Sequence, residues 1–246
     1  MRLYLIALTV LVAMNMDTNN NSDDSLTLKI PAEGFKVVQH IPFNQKGREQ
    51  NTLYQTPRQI TQKEFNTPEL IIFIDSMYQV MKKYEGVGIA ANQIGKRLQI
   101  FIIEAKADNP RYKVLGPVEK QIFINPIITK VSKTKKNFWH GCLSANGEKR
   151  GNVATYEWID YECQNVKGEK VRGRLEGFAA VIFQHEFKHL MNGTYLDIAK
   201  QFVSKPELDQ KIASGELPFF DIAPDTLPLL IKDFEMGKSI EKFKGK

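Results

Sequence analysis

Apolar positions recur with different periods along the chain, and each period predicts a different element. Leu70, Phe73, Ile74, Met77, Met81 and Tyr84 follow the three-to-four-residue spacing of one helix face. Thr67-Pro68-Glu69 places an N-cap, a first-turn proline and an early acid ahead of them, so a helix is expected from there to near Gly86. Runs at 98–104, 121–131, 153–163 and 169–175 are strand-like and are separated by turns rich in Asn, Pro, Gly and Lys. From Phe178 to Met191 apolar residues occupy much of the circumference until Asn192-Gly193 stops the run, which predicts a largely buried helix. The same helix carries His185, Glu186, Lys188 and His189, a costly set in an apolar interior unless something compensates it.

The two ends read differently from this middle. Arg2 precedes an apolar run at 3–14 that is short for a membrane span and suits a signal-peptide core, so residues 1–16 are expected to be a leader or anchor. Asn15 to Asp24 offers little to bury and reads as a flexible linker, with the folded body starting at Leu28 or later. The expected organisation is a linker and N-terminal extension over 17–50, one domain over 51–200, and a basic, partly helical extension over 201–246 broken by Pro206, Pro218, Pro224 and Pro228. Much of the net charge of +6 comes from the run Lys232, Lys238, Lys242, Lys244 and Lys246, which reads first as a solvated end and second as a contact for a polyanion such as ribosomal RNA. Two cysteines, Cys142 and Cys163, exclude the disulfide framework of a small secreted domain.

His185-Glu186-Phe187-Lys188-His189 has the form H-E-x-x-H. On a helix this spacing puts both imidazoles on one face, where they can hold two corners of a tetrahedral metal, and Glu186 can reach a metal-bound water as general base. A catalytic site of this kind needs a third ligand and an open position. Asp197 or Glu207 would supply it in an H-E-x-x-H metalloprotease; Cys142, in the turn-like stretch Trp139-His140-Gly141-Cys142-Leu143-Ser144, is the other candidate. A liganding Cys142 must be a thiolate, which argues against a bond to Cys163. A third cluster, Gly86-Val87-Gly88-Ile89-Ala90-Ala91-Asn92-Gln93-Ile94-Gly95, fits no phosphate-loop spacing; its small residues allow close backbone approach and Gln93 offers an amide donor.

In order and content these three clusters resemble the signature motifs of the peptide deformylase family. Gly86, Gly88, Ile89, Ala90, Ala91 and Gln93 match G-x-G-(apolar)-A-A-x-Q; Gly141, Cys142, Leu143 and Ser144 match E-G-C-L-S; Gln184, His185, Glu186, His189, Leu190 and Gly193 match Q-H-E-x-D-H-L with its following glycine. Asn125-Pro126, Gly177 and Asp197 also fit, and the likeness spans roughly 52–200. It implies an α+β fold of antiparallel strands around a central buried helix. It implies a metal-dependent hydrolase with one divalent ion, Fe2+ first and Zn2+, Ni2+ or Co2+ as alternatives, held by Cys142, His185 and His189. The implied reaction is attack of metal-bound water on the formyl carbon of formyl-methionyl peptides or nascent chains, with Glu186 as general acid and base. The Gln93 amide and the Leu143 backbone N–H would hold the oxyanion. Gly88 and Ile89 would border the peptide, whose methionine would enter an apolar pocket near the catalytic helix. A monomer acting in the cytoplasm is the matching expectation, against which the leader-like residues 1–16 stand.

The chain departs from the family pattern in three places. His140 stands where the second motif has Glu, Thr155 stands where an Arg is common, and Lys188 replaces the Asp of the third motif. The first two positions look like salt-bridge partners in the family, so their joint loss reads as a coupled replacement. These changes favour, as the alternative, a divergent relative with altered substrate or a binding-only role.

Overall fold

The computed structural model describes residues 23–108, 115–145, 149–216, 220–232 and 234–240; the leader expected at 1–16 and the chain end at 241–246 lie outside the described residues. Helix α1 (Pro68–Lys83) starts where its caps predict: the Thr67 hydroxyl accepts from the Leu70 N–H, Pro68 and Glu69 occupy the first turn, and Lys82 and Lys83 the last. Leu70, Phe73, Ile74, Met77 and Met81 are buried, as their spacing requires, whereas Tyr84 caps the helix and is 48% exposed.

Five strands, β1 (Gly88–Ala90), β2 (Ile100–Ala105), β3 (Val118–Val131), β6 (Trp158–Gln164) and β7 (Lys170–Glu176), form an antiparallel sheet in the order β1-β2-β3-β6-β7. A second sheet contains β4 (Lys135–His140), β5 (Lys149–Tyr156) and β8 (Gln201–Ser204) in the order β4-β5-β8. Helix α2 (Gly177–Leu190) packs against strands of both sheets, and α3 (Lys205–Ala213) follows β8 behind a Ser204 cap and Pro206. This is the α+β arrangement of antiparallel strands around a buried helix that the sequence implied. No helix among the described residues is long and apolar enough to cross a membrane.

The long strand β3 serves two partners because it bends at Asn125-Pro126. Asn125 has a φ of 51° and the register shifts there, between the part paired with β2 and the part paired with β6. Its side chain bonds both backbone groups of Ile60 at 2.8 Å, so the bulge also anchors the approach to α1.

Three expectations need correction. The folded body, expected from Leu28 or later after a linker running to Asp24, already includes Asp24 and Ser25, whose carbonyls accept from the Lys96 side chain and the Arg97 N–H, both at 2.6 Å. The run 153–163, read as one strand, is two strands in different sheets, because the chain turns a corner at Glu157. That corner has no Gly or Pro to announce it; the Ser132 hydroxyl accepts the Glu157 N–H at 2.8 Å instead. The stretch preceding Gly141, read as turn, is strand β4, paired through Trp139↔Asn152 and His140↔Gly151.

The chain after α3 is not simply solvated. Asn137 N–H donates to the Asp221 carbonyl, Ala223 N–H to Lys135, Ala154 N–H to Pro228 and Leu230 N–H back to Ala154, so residues 221–230 run along the second sheet. Leu230, Ile231 and Ile240 are buried in the same core as α2, while Lys232 and Lys238 remain exposed. We expect Ile231→Ala to lower unfolding stability by about 2–5 kcal/mol, as for a fully enclosed aliphatic side chain. An unchanged urea midpoint would show that this segment detaches in solution.

Candidate metal centre

Helix α2 has almost no solvated face. Gln184, His185, Glu186 and His189 are all buried along with its apolar residues, so each polar group must be answered from elsewhere in the fold. The Gln184 amide does this by pairing with Tyr156, accepting its N–H and donating to its carbonyl, both at 2.8 Å, which fixes the helix against the end of β5.

His185 and His189, one turn apart on α2, face Cys142 in the loop after β4. One donor atom from each of the three lies within 4.8 Å of the other two, and Cys142 Sγ is 3.3 Å from His189 Nε2. Asp197 is not near enough to compete in the way an H-E-x-x-H protease would need. It accepts from Arg48 at 2.8 Å and from the Thr194 N–H at 2.7 Å. Glu207 lies on α3, partnered by Lys211 at 3.1 Å. Of the alternatives open in the sequence, the fold brings Cys142 to the histidines. Cys163 is a buried free thiol on β6, and no disulfide joins it to Cys142.

The donor set fits a divalent cation. Bond lengths of about 2.0–2.3 Å to sulfur and nitrogen give tetrahedral edges of roughly 3.3–3.8 Å, compatible with the observed grouping. Cys142 Sγ receives two N–H donors, from Gln93 Nε2 at 3.2 Å and the Ser144 backbone at 3.3 Å, an arrangement suited to a thiolate. Without a cation the surroundings oppose charge. Burial and then Glu186 push the Cys142 thiol up to about 12, burial and then Arg150 push His185 down to about 4, and burial followed by His185 holds His189 well below its usual value. Neutral imidazoles are the ligand form, and a bound cation reverses the cost of the thiolate.

Glu186 is buried beside this set, and burial raises its carboxyl pKa well above the ordinary range. It fits only because Gly88 lacks a side chain: a Cβ there would lie 2.2 Å from Glu186 Oε1. Gly88 and Ile89 lie on β1, the end strand of the five-stranded sheet. Gln93 sits in a short 3-10 turn (Ala91–Ile94) after β1. Its Oε1 accepts from Ala90 N–H at 2.7 Å, which turns its Nε2 toward Cys142 and Ser144. Asn92 donates to the His189 carbonyl at 2.6 Å, tying this turn to α2. Leu143 contributes its backbone beside Cys142 and its carbonyl accepts from Gln39.

The sequence reading missed two contributors. Residues 38–40, placed in the N-terminal extension, bond both site loops: Val38 N–H to the Gln93 carbonyl and His40 N–H to the Ser144 carbonyl, each at 2.7 Å. Arg150 is buried on β5, and a Cβ on Gly141 would lie 2.2 Å from its guanidinium. The basic residue beside the second motif is therefore Arg150. Thr155 pairs with Lys136, four positions along the ladder from the Gly151 that faces His140, or about 13 Å away. A two-for-two replacement at 140 and 155 does not describe this site.

The sequence model of the Polypeptide deformylase family matches residues 46–205. Peptide deformylase 1 of Bordetella pertussis is 38% identical over 133 residues, 54% of this chain and 74% of that protein. The peptide deformylase of Leptospira biflexa is 34% identical over 152 residues, 60% of this chain and 82% of that protein. Among solved structures, the class I type b peptide deformylase of Acinetobacter baumannii with Met-Ala-Ser bound superposes with a TM-score of 0.59 at 28% identity, covering 66% of this chain and 96% of that one. Since the matched stretch spans more than half of the chain and holds Cys142, His185 and His189 together with Glu186 and Gln93, the chain belongs to the polypeptide deformylase family.

Proposed function

We propose that this protein removes the formyl group from the N-terminal formyl-methionine of peptides and nascent chains, with Fe2+ as its resident ion and Cys142, His185 and His189 as the ligands. The observation that carries the reading is the convergence of these three donors with Glu186 and Gln93 at their edge. A divalent cation in this set supplies a water of lowered pKa and polarises the formyl carbonyl. Glu186 takes the proton of the attacking water and returns it to the departing amine, so the formyl group leaves as formate and the peptide as a free amine. Burial raises the Glu186 pKa above the ordinary carboxylate range, the direction that lets it hold the proton between the two transfers. Gln93 Nε2 and the Leu143 N–H hold the developing oxyanion; the present bonds of Nε2, at 3.2 and 3.3 Å, are long enough for a charged acceptor to displace one of them.

The peptide backbone would pair with the edge of β1 at Gly88 and Ile89, the side away from β2, where the described residues offer no further strand. The Acinetobacter relative has been solved with Met-Ala-Ser bound, and the same tripeptide is the expected product here from formyl-Met-Ala-Ser. We further propose a monomer that works on nascent chains in the cytoplasm and touches the ribosome through its lysine-rich C-terminus, a contact that should weaken steeply with salt. His140 and Lys188 favour a second reading, in which the chemistry is kept and the rate or preferred substrate has shifted.

Protein purified without oxygen and carrying about one divalent ion per chain should hydrolyse formyl-Met-Ala-Ser. Glu186→Gln should retain the ion and lose about 10²–10⁴-fold in kcat; equal turnover by the variant would remove Glu186 from the reaction. Gly88→Ala drives a methyl group into Glu186 and should cost on the order of 10²-fold in kcat with metal content unchanged, which separates displacement of the base from loss of the centre. Chelation should abolish turnover, and anaerobic Fe2+ should restore it more fully than Zn2+. Full activity of the ion-free chain would end the metal reading.

A further inference from the structure

We infer that His140 is a positioning residue for His185, holding that ligand through an imidazole-to-imidazole hydrogen bond in place of the carboxylate of the E-G-C-L-S signature. The inference rests on the reading of Cys142, His185 and His189 as the metal ligands. Nδ1 of His140 and Nδ1 of His185 are 3.0 Å apart, the ring centroids are 5.2 Å apart, and the ring planes differ by 15°. The centroid separation is close to the N···N distance plus one ring radius on each side. The two nitrogens therefore point at each other along the line between the rings, nearly coplanar, as a ring lone pair and a ring N–H must.

This geometry assigns the protons. With Nδ1 of His185 facing His140, Nε2 is the nitrogen left for the ion. A neutral imidazole that gives its Nε2 lone pair to a metal keeps its proton on Nδ1 and must donate it. His140 Nδ1 is then the acceptor, and the His140 proton resides on Nε2.

His140 is held in this pose. It is 2% exposed, with the Phe138 ring edge-on at 5.0 Å and the Tyr195 ring at 6.1 Å on another side. Tyr195 can lie there because the residue opposite His140 in the ladder is Gly151; a Cβ at that position would come within 2.7 Å of the tyrosine ring. A neutral acceptor orients His185 as a carboxylate would, but it pulls less on the shared proton. His185 is thus a firmly placed but weaker donor to the ion.

The test uses the full chain with zinc as the probe and two variants. His140→Phe keeps the aromatic bulk and removes the acceptor; His140→Asn places an oxygen near the position of Nδ1. In competition against a chromophoric chelator, the Phe variant should bind zinc about 10–100-fold more weakly than wild type, and the Asn variant should recover most of that loss. In the zinc-loaded wild type, nitrogen-15 spectra of the histidine rings should show His185 protonated on Nδ1 and His140 on Nε2. Equal zinc affinity of the Phe variant and wild type, or a proton on Nδ1 of His140, overturns the inference while the metal reading stands. A wild-type chain that binds no zinc overturns both. The spectra of the wild type decide the matter even if the Phe variant does not fold.

Discussion

Everything at this centre follows from one constraint: helix α2 carries an amide, two imidazoles and a carboxyl through the protein interior, where each must be met by a partner or by deliberate space. Gln184 is met by the backbone of Tyr156, His185 by His140, His189 by Cys142, and Glu186 by the room that Gly88 leaves. Each answer comes from a different segment. The separated motifs of the sequence are thus largely the partner list of a single helix, and the sheets exist, from the viewpoint of the site, to deliver those partners. β1 brings Gly88 and leads into Gln93, β4 ends on His140 just before Cys142, and β5 ends on Tyr156 at the corner where the chain passes from one sheet to the other.

Features set by local chemistry were the legible ones. Helix α1 could be read from Thr67-Pro68-Glu69 and its periodic apolar face, and α2 from its apolar girth and the Asn192-Gly193 stop. The three motifs could be read because their residue types are chemically unusual in those surroundings. What escaped depended on long-range pairing. β1 and β8 are too short to show alternation, β4 was masked by lysines on its first turn of pairing, and the split of 153–163 hinges on one serine hydroxyl from a distant turn. Residues 38–40 bond the site loops with backbone groups, which leave no trace in residue type. Arg150 looks like any loop arginine until Gly141 is found beneath it.

The three departures from the family pattern are also unequal once placed. Thr155 is fully buried on β5, and its hydroxyl faces the Lys136 carbonyl at 3.4 Å, remote from the donors. Lys188 is partly exposed on α2, its aliphatic stem against Gly193, where a Cβ would lie 2.9 Å from Cε. It acts on His189 through charge. His140 hydrogen-bonds the ring of a ligand, His185.

Charge around the two imidazoles therefore differs in kind from a site built with carboxylates behind its ligands. A carboxylate strengthens the metal bond of its histidine, but it also favours the imidazolium, which cannot ligate. Here His185 has a neutral partner and the nearby Arg150, and His189 has Lys188 in its field; both cations oppose protonation of the imidazole they face. Burial first, and these charges after it, keep the ligands in the form that can bind, and the same charges repel the incoming ion. What offsets that repulsion is the sulfur of Cys142, the one anion among the ligands, held by two N–H donors from separate segments. With the carboxylates of the second and third motifs gone, affinity for the ion leans more heavily on the thiolate, and so on the groups that donate to it, the Gln93 amide and the backbone and side chain of Ser144.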